Sequence, residues 1–145
     1  MKKVSVIVPT FNRATYLKVA IESILKQKYK NLEIIITDNA STDNTIEIVE
    51  AFNDERIIYY RNPENIGIAR NHNKALELCT GEYIQLFSDD DIMLPGCIQK
   101  KVDIFNRFQS VGLVHSDINI INSSGVITSE SHWAKKAWKK WSNLH

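Results

Sequence analysis

Short apolar runs alternate with amphipathic stretches along most of this chain, and this alternation is the feature that most limits its fold. The runs are rich in β-branched and aromatic residues and predict five strands: VSVIV (4–8), LEIIITD (32–38), RIIYY (56–60), EYIQLFS (82–88) and VGLVHSD (111–117). Apolar side chains at helical spacing predict the intervening helices: 14–27, 41–53, 68–79 and 95–109. This order predicts an α/β fold with a mostly parallel sheet, right-handed crossovers and helices on both faces. Residues 118–128 predict a terminal hairpin that turns at Ser124 and Gly125.

Composition narrows the class of protein further. A chain of 145 residues with 43% hydrophobic and 24% charged residues suits one soluble domain with a real core. The net charge of +1 gives no argument for nucleic acid as a partner. The N-terminus lacks a signal peptide's apolar core, and no stretch approaches the roughly 18 apolar residues that span a bilayer. The expected location is the cytoplasm, where Cys79 and Cys97 are predicted to be small buried thiols in preference to a disulfide or metal pair.

Polar side chains are predicted to collect at one edge of the sheet. Open sheets of this kind bind ligands beyond the carboxyl ends of their strands. The polar groups follow the first, second and fourth strands and the loop after the third: residues 9–13, 38–43, 65–70 and 88–91. One site would therefore hold hydroxyls, amides, one or two arginines and a group of carboxylates.

Most of these residues also have a structural interpretation that the sequence leaves open. Thr10 and Asn12 are common turn formers, and Asp38 can cap the end of a strand. The residues STD at 41–43 cap the following helix. Arg70 lies in the first turn of a helix, where the dipole disfavours a cation, so it has either an anionic ligand or a surface salt bridge as partner.

Three consecutive carboxylates, Asp89 to Asp91, follow the fourth strand. They are either a solvated turn or a site for a divalent cation, and the cation accounts better for three charges behind an apolar strand. Mn²⁺ and Mg²⁺ take oxygen ligands, typically one or two carboxylates together with substrate phosphates. No P-loop and no GxGxxG motif is present, so metal and Arg70 would hold a bound diphosphate. The histidines, at 72, 115, 132 and 145, show no zinc spacing.

Two long segments resemble the N-terminal, nucleotide-sugar-binding half of the family 2 glycosyltransferases with the GT-A fold. They are VSVIVPTFNRATYLKVAIESILKQKYKNLEIIITDNASTDNT and NPENIGIARNHNKALELCTGEYIQLFSDDDIMLPG, and the resemblance covers about residues 3–128. It implies an enzyme that transfers a sugar from a nucleoside diphosphate sugar, usually a UDP-sugar, to an acceptor hydroxyl with inversion and with Mn²⁺ or Mg²⁺. The acceptor would be a saccharide or a lipid-linked molecule.

The resemblance also implies roles for individual residues. The nucleotide-binding residues would be Pro9, Thr10, Phe11, Asn12, Asp38, Asn39, Arg70 and Asp89. Within that set, Asp38 or its neighbour Asn39 would read the base, and Asp89 would meet the ribose or a metal-bound water. Asp90 matches the usual metal ligand, and Asp91 is either a second ligand or a structural residue. Ser88 stands where many members of the family have an aspartate.

The chain is predicted to divide into a nucleotide-sugar-binding domain, residues 1–128, and a basic aromatic segment, residues 129–145. The segment's end, HWAKKAWKKWSNLH, reads as an amphipathic helix that packs on a missing acceptor half or contacts the inner face of a membrane. No catalytic base is assigned, since Asp117 and Glu130 are the only acids after Asp103. The alternatives are a binding module without transferase activity and a nucleotidyltransferase, although PTFNRAT lacks the glycines of the latter class.

Overall fold

A computed structural model describes residues 1–131 of the 145-residue chain. The helix predicted for residues 132–145 therefore lies outside the described residues. The elements in chain order are β1 (Val4–Thr10), α1 (Ala14–Leu25), β2 (Leu32–Asp38), α2 (Thr45–Glu50), β3 (Ile57–Arg61), α3 (Ile68–Glu77), β4 (Tyr83–Leu86), α4 (Cys97–Arg107), β5 (Ile118–Ile121) and β6 (Ile127–Ser131).

The main sheet is parallel, with the strand order β3-β2-β1-β4. The chain moves outward from β1 through β2 to β3, then returns and places β4 on the other side of β1. Right-handed crossovers put α1 and α2 on one face and α3 on the opposite face. The contacts agree, because α1 packs on α2 whereas α3 packs on β1 and β2. The predicted α/β fold is confirmed, and the direction of winding reverses between β1 and β4.

The core lies around β1 and β2, whose apolar side chains are buried on both faces of the sheet. Ile7 and Ile35 pack on one face against Ala75, Leu78 and Cys79. The neighbouring residues along each strand point to the opposite face and have no exposed surface: Val6, Val8, Ile34 and Ile36. The near-continuous apolar sequence of these strands follows from this double burial. Both cysteines are half-buried free thiols.

A buried carboxylate holds the amino edge of the sheet together. Glu33 is 3% exposed and accepts hydrogen bonds from Ser5 Oγ (2.6 Å), Thr80 N (2.8 Å) and Thr80 Oγ1 (2.9 Å), and Lys3 forms an ion pair with it. The Ser5 hydroxyl in turn accepts a bond from Gly81 N (2.8 Å). A Cβ at Gly81 would lie 2.7 Å from the Ser5 nitrogen, so only glycine permits this approach. The cluster ties the segment that leads into β4 to both β1 and β2, at the edge opposite the polar loops.

The fifth predicted strand is wrong, since residues 111–117 have no regular secondary structure. Leu113 of this run is 81% exposed. An apolar run becomes a strand only where another strand pairs with it, and its sequence does not report that. The predicted hairpin is present as β5 and β6, which pair antiparallel, and Gly125 in its turn has a φ of +75°.

The described residues form two compact units, Met1–Lys100 and a second unit that begins at Lys101. The first contains the parallel sheet, and the second contains the β5–β6 hairpin. The predicted division at residue 128 stays a prediction.

Candidate active site at the reversal point of the sheet

A cleft of about 360 Å³ lies beyond the carboxyl ends of β1 and β4, where the winding of the sheet reverses. Open α/β sheets bind ligands at this position, because the loops that leave the two strands diverge there. The residues that line the cleft come from β1, the loops that follow β1, β2 and β4, and the start of α3: Pro9, Thr10, Phe11, Arg13, Asn39, Ile68, Asn71, His72, Phe87, Ser88, Asp89 and Asp90.

Thr10 and Asp89 join the two strand ends across the cleft. The Thr10 hydroxyl donates a hydrogen bond of 2.8 Å to Asp89 Oδ2. Phe87, the first residue after β4, donates a hydrogen bond from its N–H to the carbonyl of Ile7 (3.1 Å). The chain that leaves β4 therefore remains attached to β1. Burial raises the pKa of Asp89, while the Thr10 hydroxyl and the Arg13 guanidinium act to lower it. The Asp89 carboxylate is thus held in a defined orientation at the base of the cleft.

Arg13 lies against the acidic run. Its Nη1 donates a hydrogen bond to Asp90 Oδ2 and lies 3.6 Å from Asp89 Oδ1. The sequence places Arg13 among the polar residues at this edge and predicts no separate role for it. Its place directly after β1 was the available signal, because residues there must lie close to those that follow β4 when the strands are neighbours.

Asn12 does not line the cleft but ties two loops together. Its N–H donates to Ser41 Oγ (2.9 Å), and its side-chain Oδ1 accepts a bond from Thr42 N (2.7 Å). Its φ of +54° is tolerated because asparagine enters the left-handed region more readily than most residues. The loop that follows β1 is therefore fixed against the loop that follows β2.

Within the predicted cap at residues 41–43, Asp43 is the residue whose side chain accepts hydrogen bonds from helix N–H groups, and it does so at the start of two helices. Its Oδ1 accepts a bond from Thr45 N (3.2 Å) at the start of α2, and its Oδ2 accepts one from Ala14 N (3.0 Å) at the start of α1. A carboxylate is favourable at both positions because it satisfies unpaired N–H groups and complements both helix dipoles.

Asp38, the residue predicted to read the base, is 1% exposed and does not line the cleft. Its Oδ1 accepts a bond from Ser41 N (2.9 Å), and its Oδ2 accepts one from the Tyr59 hydroxyl (2.7 Å) and lies 3.5 Å from Arg61 Nε. Burial and the bond to Asp38 raise the pKa of Tyr59. In this structure Asp38 anchors the end of β2, and its predicted contact with the base stays a prediction.

Asn39, the next residue, does line the cleft. Its Oδ1 accepts a bond from Ile66 N (2.9 Å), and its Nδ2 donates to Asn65 Oδ1 (2.7 Å). Asn62 continues this buried chain of amides with a bond of 2.8 Å to Asn71 Oδ1, and Asn71 Nδ2 donates to the carbonyl of Thr37 (2.8 Å). The network holds the loop between β3 and α3 against the end of β2, so that this wall of the cleft has a fixed shape.

Other predicted site residues lie outside the cleft lining. Arg70 is exposed in the first turn of α3, and Asp91, whose N–H donates to the Ser88 carbonyl (3.3 Å), lies just past the lining residues. Their roles in diphosphate and metal binding stay predictions. His72, which was not predicted to bind metal, does line the cleft. Its Nδ1 lies 2.9 Å from the carbonyl oxygen of Ile68.

The donor set in the cleft fits a divalent cation that is shared with a ligand. Within residues 1–131, no group of three or more His, Cys, Asp and Glu side chains is arranged to hold a metal ion by itself. Mg²⁺ and Mn²⁺, however, are commonly bound through one or two carboxylates together with substrate phosphates. Asp89 and Asp90 would supply those carboxylates, and the Arg13 guanidinium lies beside both, so this position accepts a positive charge.

The family model described as Glycosyl transferase family 2 matches residues 5–140. The chain belongs to this family. Among curated members, a Campylobacter jejuni protein named GalNAc(5)-diNAcBac-PP-undecaprenol beta-1,3-glucosyltransferase is 43% identical over 101 residues, which are 68% of this chain and 33% of that protein. Glycosyltransferase GlyG of Streptococcus pneumoniae is 40% identical over 98 residues, which are 66% of this chain and 33% of that protein. The chain thus spans about a third of the length of these two family 2 relatives.

Solved structures confirm the predicted GT-A fold. The Staphylococcus aureus TarS fragment 1–349, crystallised with UDP-GlcNAc, superposes with a TM-score of 0.69 at 24% identity, over 82% of this chain and 40% of that one. The mannosyltransferase PcManGT of Pyrobaculum calidifontis, in complex with GDP-Man and Mn²⁺, gives a TM-score of 0.59 at 32% identity, over 63% of this chain and 28% of that one. Within the described part of this family 2 chain, no helix is long and apolar enough to cross a membrane.

Proposed function

We propose that this chain is the donor-binding part of a glycosyltransferase that uses a nucleoside diphosphate sugar and a divalent cation. The main support for this proposal is the cleft at the reversal point of the sheet. Four side chains meet there: Thr10, Arg13, Asp89 and Asp90. Two carboxylates and an arginine at one point suit a cation and a diphosphate, because each supplies the charge that the other ligand lacks. The amide wall formed by Asn39 and Asn71 suits a nucleoside beside them.

The reaction is transfer of the sugar to an acceptor hydroxyl with inversion, and a UDP-sugar is the first donor to test. A bound cation would stabilise the negative charge that develops on the departing diphosphate. Asp90 and Asp89 would hold it, and Thr10 fixes the orientation of Asp89 through its hydrogen bond. The Mn²⁺ in the GDP-Man complex of PcManGT supports the metal requirement.

The acceptor is a saccharide or a lipid-linked molecule, and its binding wall and the catalytic base are proposed to lie outside the donor-binding unit. This division is supported by length, since the chain spans about a third of the Campylobacter relative. The name of that relative includes a lipid-linked undecaprenol acceptor. A peripheral contact with the inner face of the membrane, where such an acceptor would be reached, belongs to the same proposal.

Calorimetric titration with UDP, GDP, dTDP and CDP, each with and without Mn²⁺, tests donor binding and identifies the base. We expect one nucleotide to bind in a Mn²⁺-dependent way and Asp90→Ala to abolish that dependence while the fold stays intact. Asp54→Ala is the matched control, because Asp54 also pairs with an arginine, Arg56, but lies before β3, at the opposite edge of the sheet. Metal-dependent binding that survives in the Asp90 variant contradicts the metal assignment.

Transfer itself is tested with labelled nucleotide sugars, using this 145-residue chain beside a version extended by any natural downstream sequence. Base catalysis contributes about 10²–10⁴-fold and positioning of the acceptor can add more, so robust transfer is expected only from the extended chain. Full transfer by the short chain would place the base within these residues, with Asp117 and Glu130 the first candidates. Nucleotide binding by both with transfer by neither would favour a binding module.

A further inference from the structure

We propose that Arg13 is a built-in counter-ion that changes partner during donor binding, a role that rests on the proposed function. In the free protein its guanidinium is bonded to Asp90 and lies beside Asp89. When a divalent cation takes these carboxylates, Arg13 turns to the diphosphate of the donor. The two carboxylates would then hold the cation while Arg13 binds the diphosphate.

The geometry sets up competition for the same oxygens. Asp90 Oδ2 accepts the bond from Arg13 Nη1, and Asp89 Oδ1 lies 3.6 Å from the same nitrogen. A cation bound by these two carboxylates would occupy the space that the guanidinium fills. Binding of the cation must therefore displace Arg13, and the binding free energy is reduced by the free energy of the ion pairs that are lost.

The backbone of Arg13 is held in place, whereas its guanidinium is accessible to solvent. Its carbonyl accepts the hydrogen bond from Leu17 N (2.9 Å) that opens α1, so its backbone belongs to the start of that helix. Its side chain is 48% exposed, which leaves room for the guanidinium to rotate. Displacement needs a change of side-chain rotamer and no movement of the sheet.

Charge balance gives the direction of the exchange. Asp89, Asp90 and Arg13 together carry a formal charge of −1, and a divalent cation changes the cluster to +1. An arginine at the start of a helix also faces the positive end of the dipole and requires a negative partner nearby. Asp90 provides that partner in the free protein, and the diphosphate provides it in the complex.

If Arg13 has this role, Arg13→Gln should raise the affinity for Mn²⁺ and lower the affinity for the nucleotide. A general loosening of the site would lower both affinities. Without nucleotide, Mn²⁺ should bind about threefold more tightly, because an exposed ion pair no longer competes. At saturating Mn²⁺, UDP should bind about tenfold more weakly, because a charge-assisted bond to the diphosphate is lost. GDP is titrated in parallel so that the outcome does not depend on the base.

The experiment measures free Mn²⁺ by electron paramagnetic resonance and nucleotide affinity by calorimetry, on the full chain, with folding monitored by circular dichroism. Arg56→Gln is the matched control, because Arg56 is also bonded to an aspartate, Asp54, at the far edge of the sheet. We expect both of its affinities to match those of the wild type. Arg13→Lys should restore most of the competition with Mn²⁺, since it keeps the charge.

Unchanged or weaker Mn²⁺ binding by Arg13→Gln, or unchanged nucleotide binding at saturating Mn²⁺, overturns the role of Arg13. If the wild type and the Arg56 variant bind nucleotide with Mn²⁺ as expected, the proposed function survives that result. If the wild type binds neither Mn²⁺ nor any nucleotide, the proposed function and the role of Arg13 are both refuted.

Discussion

Replacement of Glu33 by glutamine tests the physical account of the amino edge of the sheet. Burial alone would raise the pKa of this carboxylate, but hydrogen bonds from Lys3, Ser5 and Thr80 outweigh it and lower the pKa from 4.5 to about 2. Such a change corresponds to about 3 kcal/mol of preference for the charged form in the folded protein. Glutamine is similar in size but carries no charge, and its amide would direct N–H groups at the Lys3 ammonium or the Thr80 hydroxyl. We expect Glu33→Gln to lower the free energy of unfolding by about 2–3 kcal/mol at pH 7.

The pH dependence of the loss separates the charge from simple packing. Because the folded pKa is lower than the unfolded one, the stabilisation by Glu33 is complete above the unfolded value, near 4.5, and declines as the pH falls toward 2. At pH 3 about 40% of the charge contribution to the difference between wild type and Glu33→Gln should remain. Urea denaturation followed by circular dichroism at pH 7 and pH 3 measures both values.

Glu22→Gln is the control for this experiment, since Glu22 is more exposed and its carboxylate is 3.9 Å from Lys26 Nζ. Surface pairs of this kind contribute about 0–1 kcal/mol, so its effect should be small at both pH values. A loss in Glu33→Gln that is the same at pH 7 and pH 3 would show that shape, and not charge, accounts for it. A loss below 0.5 kcal/mol would refute the role of the cluster altogether.

Three further substitutions test other features of the fold. Asp38→Ala leaves the Tyr59 hydroxyl without its acceptor and should lower stability by about 2 kcal/mol in thermal denaturation. Gly81→Ala brings a Cβ to 2.7 Å from the Ser5 nitrogen and should destabilise by about 1–3 kcal/mol, as a shift in the urea midpoint would show. Ala40→Gly relieves a φ of +66° and should raise stability by up to about 1 kcal/mol; a clear loss there would contradict the assigned backbone strain.

The central part of the fold was predictable because its sequence signals are local. β1 and β2 are buried on both faces, so a continuous β-branched run was enough to place them within about two residues. The run at 111–117 has a weaker form of the same pattern and is not a strand. Whether such a run pairs depends on a neighbouring strand distant in sequence, which composition and periodicity do not report.

The site was predictable as a region and less so residue by residue. The rule for parallel strands brought Thr10 and Asp89 to one edge, and the structure joins them by a hydrogen bond. Of the two candidates for reading the base, Asn39 lines the cleft whereas Asp38, the last residue of β2, is buried beside it, and which of them meets the base stays a prediction. Arg70 is exposed and lies outside the cleft lining, and its predicted role at the diphosphate stays a prediction, since the direction of a side chain on a helix depends on how that helix packs.

The acidic run is tolerated because its carboxylates have different environments. Asp89 is buried and bonded to Thr10, whereas Asp90 is exposed and bonded to Arg13. Repulsion between these neighbours is offset in the free protein by one arginine, which leaves a net negative charge. Under the proposed function, a cluster that is incompletely neutralised in this way would take up a divalent cation, and with the cation bound it would attract an anion. The sequence of binding, first metal and then diphosphate, would then follow from the charges of three side chains held at the reversal point of the sheet.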